Sequence, residues 1–337
     1  CLSESEETII DIAKILEKGE RDFSKIEGLA GKEGFLNPKL KVTYDLDELP
    51  IPAWDLVPMK KYWEIARPHG GGLKEGNVAY APVMFSRGCP YKCHYCHISK
   101  ELEGSLGGNT RKYRMKSLSR IIKELNILKN LGVKYVFIED DSLLAKKERA
   151  KEIFKKVKEM GLQLADVNGI NLAHLCTNVD GKLGVDEPLM ESMAAAGFKK
   201  LQYPVESASQ RILDKYATGK LNLKKHNVIG LIEKAKQLGI EIVGNYTFGY
   251  PDETFVEILK TLFLAKKHMA AGLDAANFMF ITPFPGTQLY DYAVEKNILR
   301  DDLNLESMDW TRPSMKTKVP GWFIRLVITK GWRWVNK

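Results

Sequence analysis

The sequence predicts an α/β fold made of repeated strand and helix units, and three observations support this prediction. From about residue 77, six short apolar runs rich in β-branched and aromatic residues alternate with amphipathic helical patterns. Several of the helical patterns end in a glycine directly before the next apolar run, which is a common helix stop. Hydrophobic residues make up 44% of the 337 residues and charged residues 28%, which is typical of a globular chain. A chain of this length could form one large barrel or two ordinary domains.

The alternation predicts six strands and six helices. The strands are expected at 79–87, 135–139, 164–170, 201–206, 241–248 and 275–282. The helices are expected at 117–131, 146–160, 187–196, 223–238, 253–271 and 289–296. This pattern fits an open doubly wound sheet as well as a barrel. In both architectures the carboxyl ends of the parallel strands face one mouth, where the chemistry takes place.

The region before the first strand has a different character. Residues 5–17 form one helical pattern, with Ile9, Ile12 and Leu16 on the same face. Residues 28–74 contain many glycines and prolines and few periodic segments, so they are expected to connect domains or cover a surface.

Charge and composition exclude several functional classes. The net charge is +8, but the basic residues alternate with acidic ones along helical segments, so no dedicated nucleic-acid site is predicted. No apolar run approaches the roughly 20 residues of a membrane span. The segment 321–335 carries three basic residues and at most lies on a surface or packs as a tail. Five cysteines without a secretory signal indicate a reducing compartment, and a cytoplasmic location is expected.

Three of the five cysteines follow the first predicted strand within eight residues. They are Cys89, Cys93 and Cys96 in the loop SRGCPYKCHYC. Their spacing lets three thiolates reach one inorganic centre from a single loop. A zinc site would need a fourth ligand such as His94 or His97, and a simple electron-transfer cluster normally has four cysteines. Three ligands on a four-iron cluster would leave one iron open for chemistry.

This loop, with Tyr95 before the last cysteine, resembles the signature of the radical S-adenosylmethionine (SAM) superfamily. The resemblance implies a partial (β/α)6 TIM-like barrel in which the three cysteines hold a 4Fe-4S cluster and SAM chelates the open iron. It also implies that an electron from the cluster cleaves SAM to a 5′-deoxyadenosyl radical, which takes a hydrogen atom from a small-molecule substrate. A flavodoxin or ferredoxin would supply that electron.

The resemblance extends to residues at the ends of later strands. It implies that the following residues approach SAM: Glu139 and Asp140 after the second strand, Glu206 and Ser207 after the fourth, and Gly244 and Gly249 around the fifth, together with Tyr95. Without the resemblance, the acidic turn at Asp141 and Ser142 reads equally well as a helix cap. Arg87 and Arg114, which flank the cysteine loop, could neutralise the charge of the cluster or of the SAM carboxylate.

Two further segments resemble the cobalamin-associated branch of this superfamily. The sequence PFPGTQLY at 283–290 is typical of that branch, and residues 2–6 resemble the turn that closes its cobalamin-binding domain, with serines in place of glycines. The resemblance divides the chain into a remnant of an upstream cobalamin domain (1–27), a linker (28–76), the barrel (77–300) and a short carboxy-terminal extension (301–337).

The expected function is therefore that of a cobalamin-dependent radical SAM methyltransferase acting on a small molecule, a lipid or a natural-product precursor. Two alternatives remain open at this point. One is a methylthiotransferase-like radical SAM enzyme acting on tRNA, and the other is a non-enzymatic iron-sulfur or metal-binding module.

Overall fold

The computed structural model describes residues 1–32, 34–40, 42–65, 73, 76–102, 104–179 and 182–337. Part of the predicted linker, including 66–72 and 74–75, lies outside the described residues.

Six parallel strands form the central sheet. They are β1 (Tyr80–Val83), β2 (Tyr135–Ile138), β3 (Gln163–Asp166), β4 (Phe198–Glu206), β5 (Glu241–Phe248) and β6 (Ala275–Phe280). Their order across the sheet is the same as their order in the chain. In a doubly wound sheet, the order of the strands reverses at a switch point. No reversal occurs in this sheet, so the barrel-like alternative is the correct one. The α/β prediction and all six predicted strands are confirmed.

Helices connect the strands. They are α1 (Glu6–Glu17), α2 (Met59–Ile65), α3 (Leu118–Asn130), α4 (Lys147–Met160), α5 (Glu187–Ala195), α6 (Gln210–Tyr216), α7 (Val228–Gln237), α8 (Phe255–Ala270) and α9 (Gln288–Glu295). A last helix runs from 321 to 335, with α10 (Gly321–Leu326), a π-helical turn (Val327–Gly331) and α11 (Trp332–Val335). Short 3₁₀ turns lie at Trp54–Leu56, His97–Lys100, Leu143–Lys146, Leu172–Leu175 and Leu305–Ser307.

Among the residues that the structure describes, three short antiparallel pairs complete the set of strands. Ser86–Arg87 pairs with Arg114–Met115, Lys92–Cys93 with Ala217–Thr218, and Cys176–Val179 with Lys182–Val185. The first two pairs enclose the cysteine loop on both sides.

Several predicted bounds differ from the structure: for example, the strand predicted at 164–170 ends at Asp166. Two of the differences have identifiable reasons. The first strand ends at Val83 because the chain then turns to place Phe85 and Ser86 against Asp140. The predicted helix 223–238 begins only at Val228, where the Asn227 side chain accepts a hydrogen bond from the Gly230 N–H group and caps it. The preceding residues form a turn around Asn222.

Packing between the sheet and the outer helices follows the usual amphipathic rule. On α4, Ala150, Ile153, Phe154 and Val157 form a fully buried stripe at helical spacing. The ring of Phe154 contacts the ring of Phe198 on β4 edge-on, with centroids 5.1 Å apart. Burial of each of the larger side chains, Ile153, Phe154 and Val157, contributes about 1.5–3 kcal/mol, so the inner face of the helix fixes it on the sheet.

The carboxy-terminal segment covers the outer edge of β6. The Phe280 N–H group donates to the Trp310 carbonyl, and the Asn336 side chain bonds both backbone groups of Ala276. The Trp332 indole also donates to the Ala276 carbonyl at 2.8 Å. An exposed edge strand would invite pairing with other chains, and these contacts occupy its free backbone groups.

Candidate active site at the barrel mouth

The cysteine loop lies directly after β1, at the carboxyl end of the sheet. Cys93 is buried and pairs in register with Ala217, whereas Cys89 and Cys96 are partly exposed. The Cys89 N–H group donates to the Arg111 carbonyl at 3.2 Å. Gly88 has a φ of 88°, and a Cβ atom there would lie 2.5 Å from the Lys112 carbonyl oxygen, so only glycine fits.

Asp140 and Asp141, at the end of β2, hydrogen-bond to the backbone that leads into this loop. Asp140 is buried and accepts hydrogen bonds from the Phe85 N–H group at 2.8 Å and from the Ser86 hydroxyl. Burial raises the pKa of Asp140 to about 7, although these hydrogen bonds oppose the rise. Asp141 accepts from the Gly88 N–H group at 2.9 Å. Both residues therefore fix the backbone that leads into Cys89.

The three thiols lie close enough to influence one another. Burial raises the pKa of all three, most clearly that of Cys96 to about 11, and the charges of the neighbouring cysteines add to the rise for Cys89 and Cys96. The positive charge of Lys220 opposes the rise at each of the three. Burial therefore favours the neutral thiols, and a bound metal centre would stabilise the thiolate forms in their place.

The donor set fits an iron-sulfur cluster. Soft thiolates are the ligands that such clusters use, and here they come from one loop. Cys176 lies elsewhere, with its thiol directed at the Leu172 carbonyl and with Lys147 and Asp186 nearby. Within the described ranges, no three His, Cys, Asp or Glu side chains converge as ligands of a single metal ion. The set is thus three thiolates, with Cys176 at a different location.

Lys220 and Glu206 form an ion pair beside the cysteines. The Lys220 Nζ atom lies 2.8 Å from Glu206 Oε1, and the Thr247 hydroxyl donates to Glu206 Oε2 at 3.2 Å. Burial by itself would lower the pKa of Lys220. The negative charges of Glu206, Cys93 and Cys96 outweigh this effect, so the pKa is raised. Glu206 ends β4 with a φ of 66°, an unusual conformation for a residue with a Cβ atom. Such local strain is concentrated at functional sites.

Tyr95 links the cysteine loop to β5. Its ring is partly buried, lies 6.5 Å from the Tyr250 ring and has Lys220 Nζ at 6.0 Å from its centroid. Burial raises the pKa of Tyr95 well above its usual value, and the charge of Glu206 adds to this. Tyr95 is therefore a neutral phenol that packs between the cysteines and the mouth.

The remaining predicted site residues have partners within the fold. Ser207 is buried, accepts from the Ser209 N–H group and lies 3.4 Å from the Thr261 hydroxyl of α8. A Cβ atom on Gly244 would meet Leu273 and the Tyr246 ring at 2.9 Å, so this glycine makes room for packing. These contacts give Asp140, Ser207 and Gly244 a structural role, and their predicted contacts with SAM remain predictions.

Gly249 and Glu139 lie at strand ends that face the mouth. Gly249 follows β5 with a φ of 87°, and its N–H group donates to the buried Glu253 carboxylate at 2.8 Å. Glu139 follows β2, its N–H group donates to the Val83 carbonyl at 2.9 Å, and the residue is partly exposed.

The two arginines that flank the cysteine loop bind the amino-terminal segment. Arg114 is only 3% exposed and makes a bidentate pair with Glu4, one arm of which measures 2.9 Å. Arg87 pairs with Glu4 at 3.1 Å and with Glu6 at 2.6 Å. The sequence predicted that these arginines neutralise the charge of the cluster or of the SAM carboxylate. In the structure, carboxylates of this chain already bind both of them.

A cavity of about 650 Å³ lies between this segment and the cysteine loop. Glu4, Arg87, Gly88, His97 and Asp141 are among the residues that line it. Acidic and basic side chains therefore lie together in this cavity, next to Gly88, which precedes Cys89.

Sequence reasoning missed Lys220, Thr247 and Ser86 as parts of the site. Lys220 lies in a turn after Gly219, and nothing in the local pattern distinguishes it from the many surface lysines. Only the pairing of Ala217–Thr218 with Lys92–Cys93 brings it to the cysteines.

Comparison with known proteins identifies the class to which this barrel and cysteine loop belong. The Radical SAM superfamily profile matches residues 83–265, more than half of the chain. The chain belongs to the radical SAM superfamily. Membership confirms the predicted family and barrel, and with them a 4Fe-4S cluster and SAM as cofactors.

Particular relatives are methyltransferases. An uncharacterized methyltransferase of Pyrococcus horikoshii is 32% identical over 324 residues, which are 94% of this chain and 62% of the relative. Cytidylyl-2-hydroxyethylphosphonate methyltransferase of Streptomyces wedmorensis is 27% identical over 298 residues, or 86% of this chain and 50% of the relative. The chain thus spans between 50% and 62% of the length of these two relatives.

One solved structure shows the same fold. The radical SAM methyltransferase TsrM of Kitasatospora setae, bound to tryptophan and a SAM analog, superimposes with a TM-score of 0.65 at 15% identity. The match covers 88% of this chain and 53% of TsrM. TsrM has also been solved with cobalamin and a 4Fe-4S cluster bound.

Proposed function

We propose that this chain is the radical SAM part of a cobalamin-dependent methyltransferase that acts on a small molecule, a lipid or a natural-product precursor. The observation that carries the proposal is the set of three mutually interacting thiols at the barrel mouth, with Lys220 and Glu206 beside them. The methyltransferase relatives favour methyl transfer over methylthiolation of tRNA and over a non-enzymatic metal module.

Cys89, Cys93 and Cys96 would hold the cluster, and SAM would complete it. When bound, the cluster supplies the electron that cleaves SAM reductively into methionine and a 5′-deoxyadenosyl radical. Asp140 and Asp141 orient the loop that carries the first thiolate. Lys220 offsets the negative charge that three thiolates bring into a buried site.

The strand ends around the cysteines would orient SAM. Glu139 and Glu206 offer carboxylates for its amino group and ribose, and Tyr95 provides an apolar wall. Gly249 lies in the β5 turn with a φ of 87°, and its missing Cβ atom makes room for Ile324 and Phe280, so its contact with the nucleoside would be through its backbone. Behind these residues, Asp140, Ser207 and Gly244 would act by fixing backbone positions.

Cobalamin would bind to an upstream domain, of which residues 1–27 would be the remnant. The ion pairs of Glu4 and Glu6 with Arg87 and Arg114 support this arrangement, because they fix the amino-terminal segment beside the cysteine loop. A domain attached there would lie next to the mouth. A flavodoxin or ferredoxin in the cytoplasm would deliver the electron.

Reconstitution of the chain with iron and sulfide under argon tests the proposal. We expect the absorption and reduced-state EPR spectra of a 4Fe-4S cluster and, with dithionite, conversion of SAM to 5′-deoxyadenosine. A variant with Cys89, Cys93 and Cys96 all changed to alanine should lose both signals. The matched control Cys176→Ala should keep both, and SAM cleavage by the triple variant would refute the assignment.

Added cobalamin separates methyl transfer from other radical chemistry. A methyltransferase consumes a second SAM to methylate cobalt, so S-adenosylhomocysteine should accumulate together with 5′-deoxyadenosine. Formation of 5′-deoxyadenosine alone, with a full-length protein and cobalamin present, would instead favour cyclisation or rearrangement.

A further inference from the structure

Two neighbouring helices expose a continuous group of large apolar side chains on the outside of the barrel. This surface, here called the aromatic face, consists of Phe255, Val256, Leu259 and Phe263 on α8 and Trp322, Leu326 and Trp334 on the helix 321–335. Their exposed fractions lie between 39% and 69%. Single exposed apolar residues are ordinary, but a contiguous group of this kind marks a surface that contacts something.

The two helices run side by side and in the same direction. The ring of Phe255 lies 4.9 Å from that of Phe323, and the ring of Phe263 lies 5.7 Å from that of Trp334. Between these contacts, Gly331 packs against Leu262. Because Phe255, Leu259 and Phe263 are spaced by four residues, they form one row on α8 next to the other helix.

Positive charge surrounds the aromatic face. Residues 321–337 contain Arg325, Lys330, Arg333 and Lys337 and no acidic residue. On α8, Lys260 and Lys267 are exposed as well, and Lys266 lies over the Trp334 ring at 5.3 Å from its centroid. Tryptophan and phenylalanine beside lysine and arginine are the composition of helices that lie in a membrane interface.

We propose that the aromatic face binds the surface of an anionic lipid bilayer, with the helix 321–335 lying in the plane of the interface. The apolar rings would enter the boundary between headgroups and acyl chains, and the basic residues would contact lipid phosphates. In the part of the chain that the structure describes, no helix is long and apolar enough to cross a membrane.

Charge complementarity selects the lipid surface over a second copy of the chain. A symmetric pairing through this face would bring the four basic residues of 321–337 against those of the other copy, with no carboxylate in that segment to balance them. An anionic bilayer supplies the missing negative charge.

The aromatic face also begins at the active-site rim. Helix α8 starts at Phe255, immediately after the turn at Gly249 and Glu253 at the carboxyl end of β5. In a parallel β/α unit this end of the helix lies at the mouth of the barrel. Docking through the aromatic face therefore places the mouth close to the lipid surface.

Cosedimentation of the 337-residue chain with vesicles tests this proposal. We expect binding to phosphatidylcholine vesicles that contain phosphatidylglycerol, weaker binding at high salt, and a blue shift of tryptophan emission. The variant Lys330→Gln/Arg333→Gln should bind about thirty-fold more weakly, because each basic residue near an anionic surface contributes about 1 kcal/mol. The variant Trp322→Ser/Phe263→Ser should bind about tenfold more weakly.

Matched variants distinguish this face from general charge and hydrophobicity. Lys155→Gln/Lys158→Gln removes the same charge from the exposed side of α4, and Leu56→Ser removes another exposed apolar residue, so both should bind as the unmodified chain does. Equal loss in the two charge variants, or equal binding to vesicles without phosphatidylglycerol, would overturn the proposal. So would a dimer in light scattering that the Trp322→Ser/Phe263→Ser variant abolishes.

Discussion

Lys220 acts on all three cysteine thiols, since its charge opposes the rise that burial causes in the pKa of each. It is held in place by Glu206 at 2.8 Å and lies in a segment paired with the cysteine loop. A positive charge fixed near a cluster favours the reduced, more negative state of that cluster. Lys220 is therefore placed where its charge would balance that of a bound cluster.

We expect Lys220→Gln to lower the reduction potential of the reconstituted cluster, by an amount on the order of tens of millivolts. Glutamine keeps a donor for Glu206 but removes the positive charge. An EPR-monitored redox titration measures the shift. Lys215→Gln, which removes a cation that pairs with Asp252, should leave the potential unchanged. An equal potential in both variants would show that Lys220 acts only on folding.

Glu253 illustrates how one buried carboxyl makes stability depend on pH. Burial raises its pKa to about 8, and its Oε2 atom accepts from the Gly249 and Tyr250 N–H groups. Its Oε1 atom is buried without a hydrogen-bond partner, which suits a protonated acid. Because the folded-state pKa exceeds the ordinary value of 4.5, the stabilising contribution is fully present below pH 4.5 and is lost as the pH rises through about 8.

We expect Glu253→Gln to flatten the fall in unfolding free energy between pH 5 and pH 9, since glutamine cannot ionise. The difference in slope should be at most about 1.4 kcal/mol per pH unit. Urea unfolding at a series of pH values measures it. Glu233→Gln, an exposed change on α7, should reproduce the original slope; a Glu253→Gln curve parallel to the original would contradict the assigned pKa.

At the scale of elements, the amino-terminal segment and the cysteine loop depend on each other. The short pair of Ser86–Arg87 with Arg114–Met115 carries two arginines, and both bind Glu4. Arg114 also donates to the carbonyls of Thr43 and Thr110, so three chain segments converge on one guanidinium. Loss of its carboxylate partner would leave a buried charge, which is far more costly than loss of a surface pair.

We expect Glu4→Ala to lower the unfolding free energy by about 3 kcal/mol and to reduce the iron bound after reconstitution. The estimate takes the lower end of the range for a broken buried pair because Arg114 keeps its carbonyl partners. Denaturant unfolding and iron analysis provide the measurements. Glu17→Ala, at the exposed end of α1, should change neither quantity, and an equally small effect of Glu4→Ala would refute this account of Arg114.

For the whole molecule, the main structural problem is that six strands leave a sheet with two edges. The edge of β6 is closed by residues that lie 30 to 60 positions later in the chain. Asn336 imitates a neighbouring strand, since its side chain accepts from the Ala276 N–H group and donates to the Ala276 carbonyl at 3.0 Å. The carboxy-terminal helix is thus part of the barrel and is not a loose tail.

We expect Asn336→Leu to destabilise the fold by about 1–3 kcal/mol and to increase aggregation, because it leaves the backbone groups of Ala276 without these partners. Thermal unfolding with light scattering measures both effects. Gln237→Leu, an exposed change at the end of α7, should do neither. Unchanged behaviour of Asn336→Leu would mean that Trp332 alone protects this edge.

Much of the fold was predictable because its signals are local. The strand runs and helical stripes reflect burial on one or both faces, and burial is encoded in residue type at fixed spacing. The short helix α6 and the three antiparallel pairs were not predicted, since segments of two to seven residues carry too little periodicity. The order of the strands could not be predicted either, because the sequence of a buried strand does not specify which strands lie next to it in the sheet.

What the sequence by itself determined about this protein is its family: three cysteines at a fixed spacing on one loop predicted a radical SAM enzyme, and the family profile confirms that prediction. The tertiary structure alone decided which charges surround that site. Lys220 reaches the cysteines because two distant segments pair with each other. Glu4 and Glu6 form ion pairs with the two arginines that flank the cysteine loop, and no sequence pattern predicted these pairs. The physical reason is that ligand spacing depends on a few covalent links, whereas electrostatic balance depends on distances between segments that only the folded chain brings together.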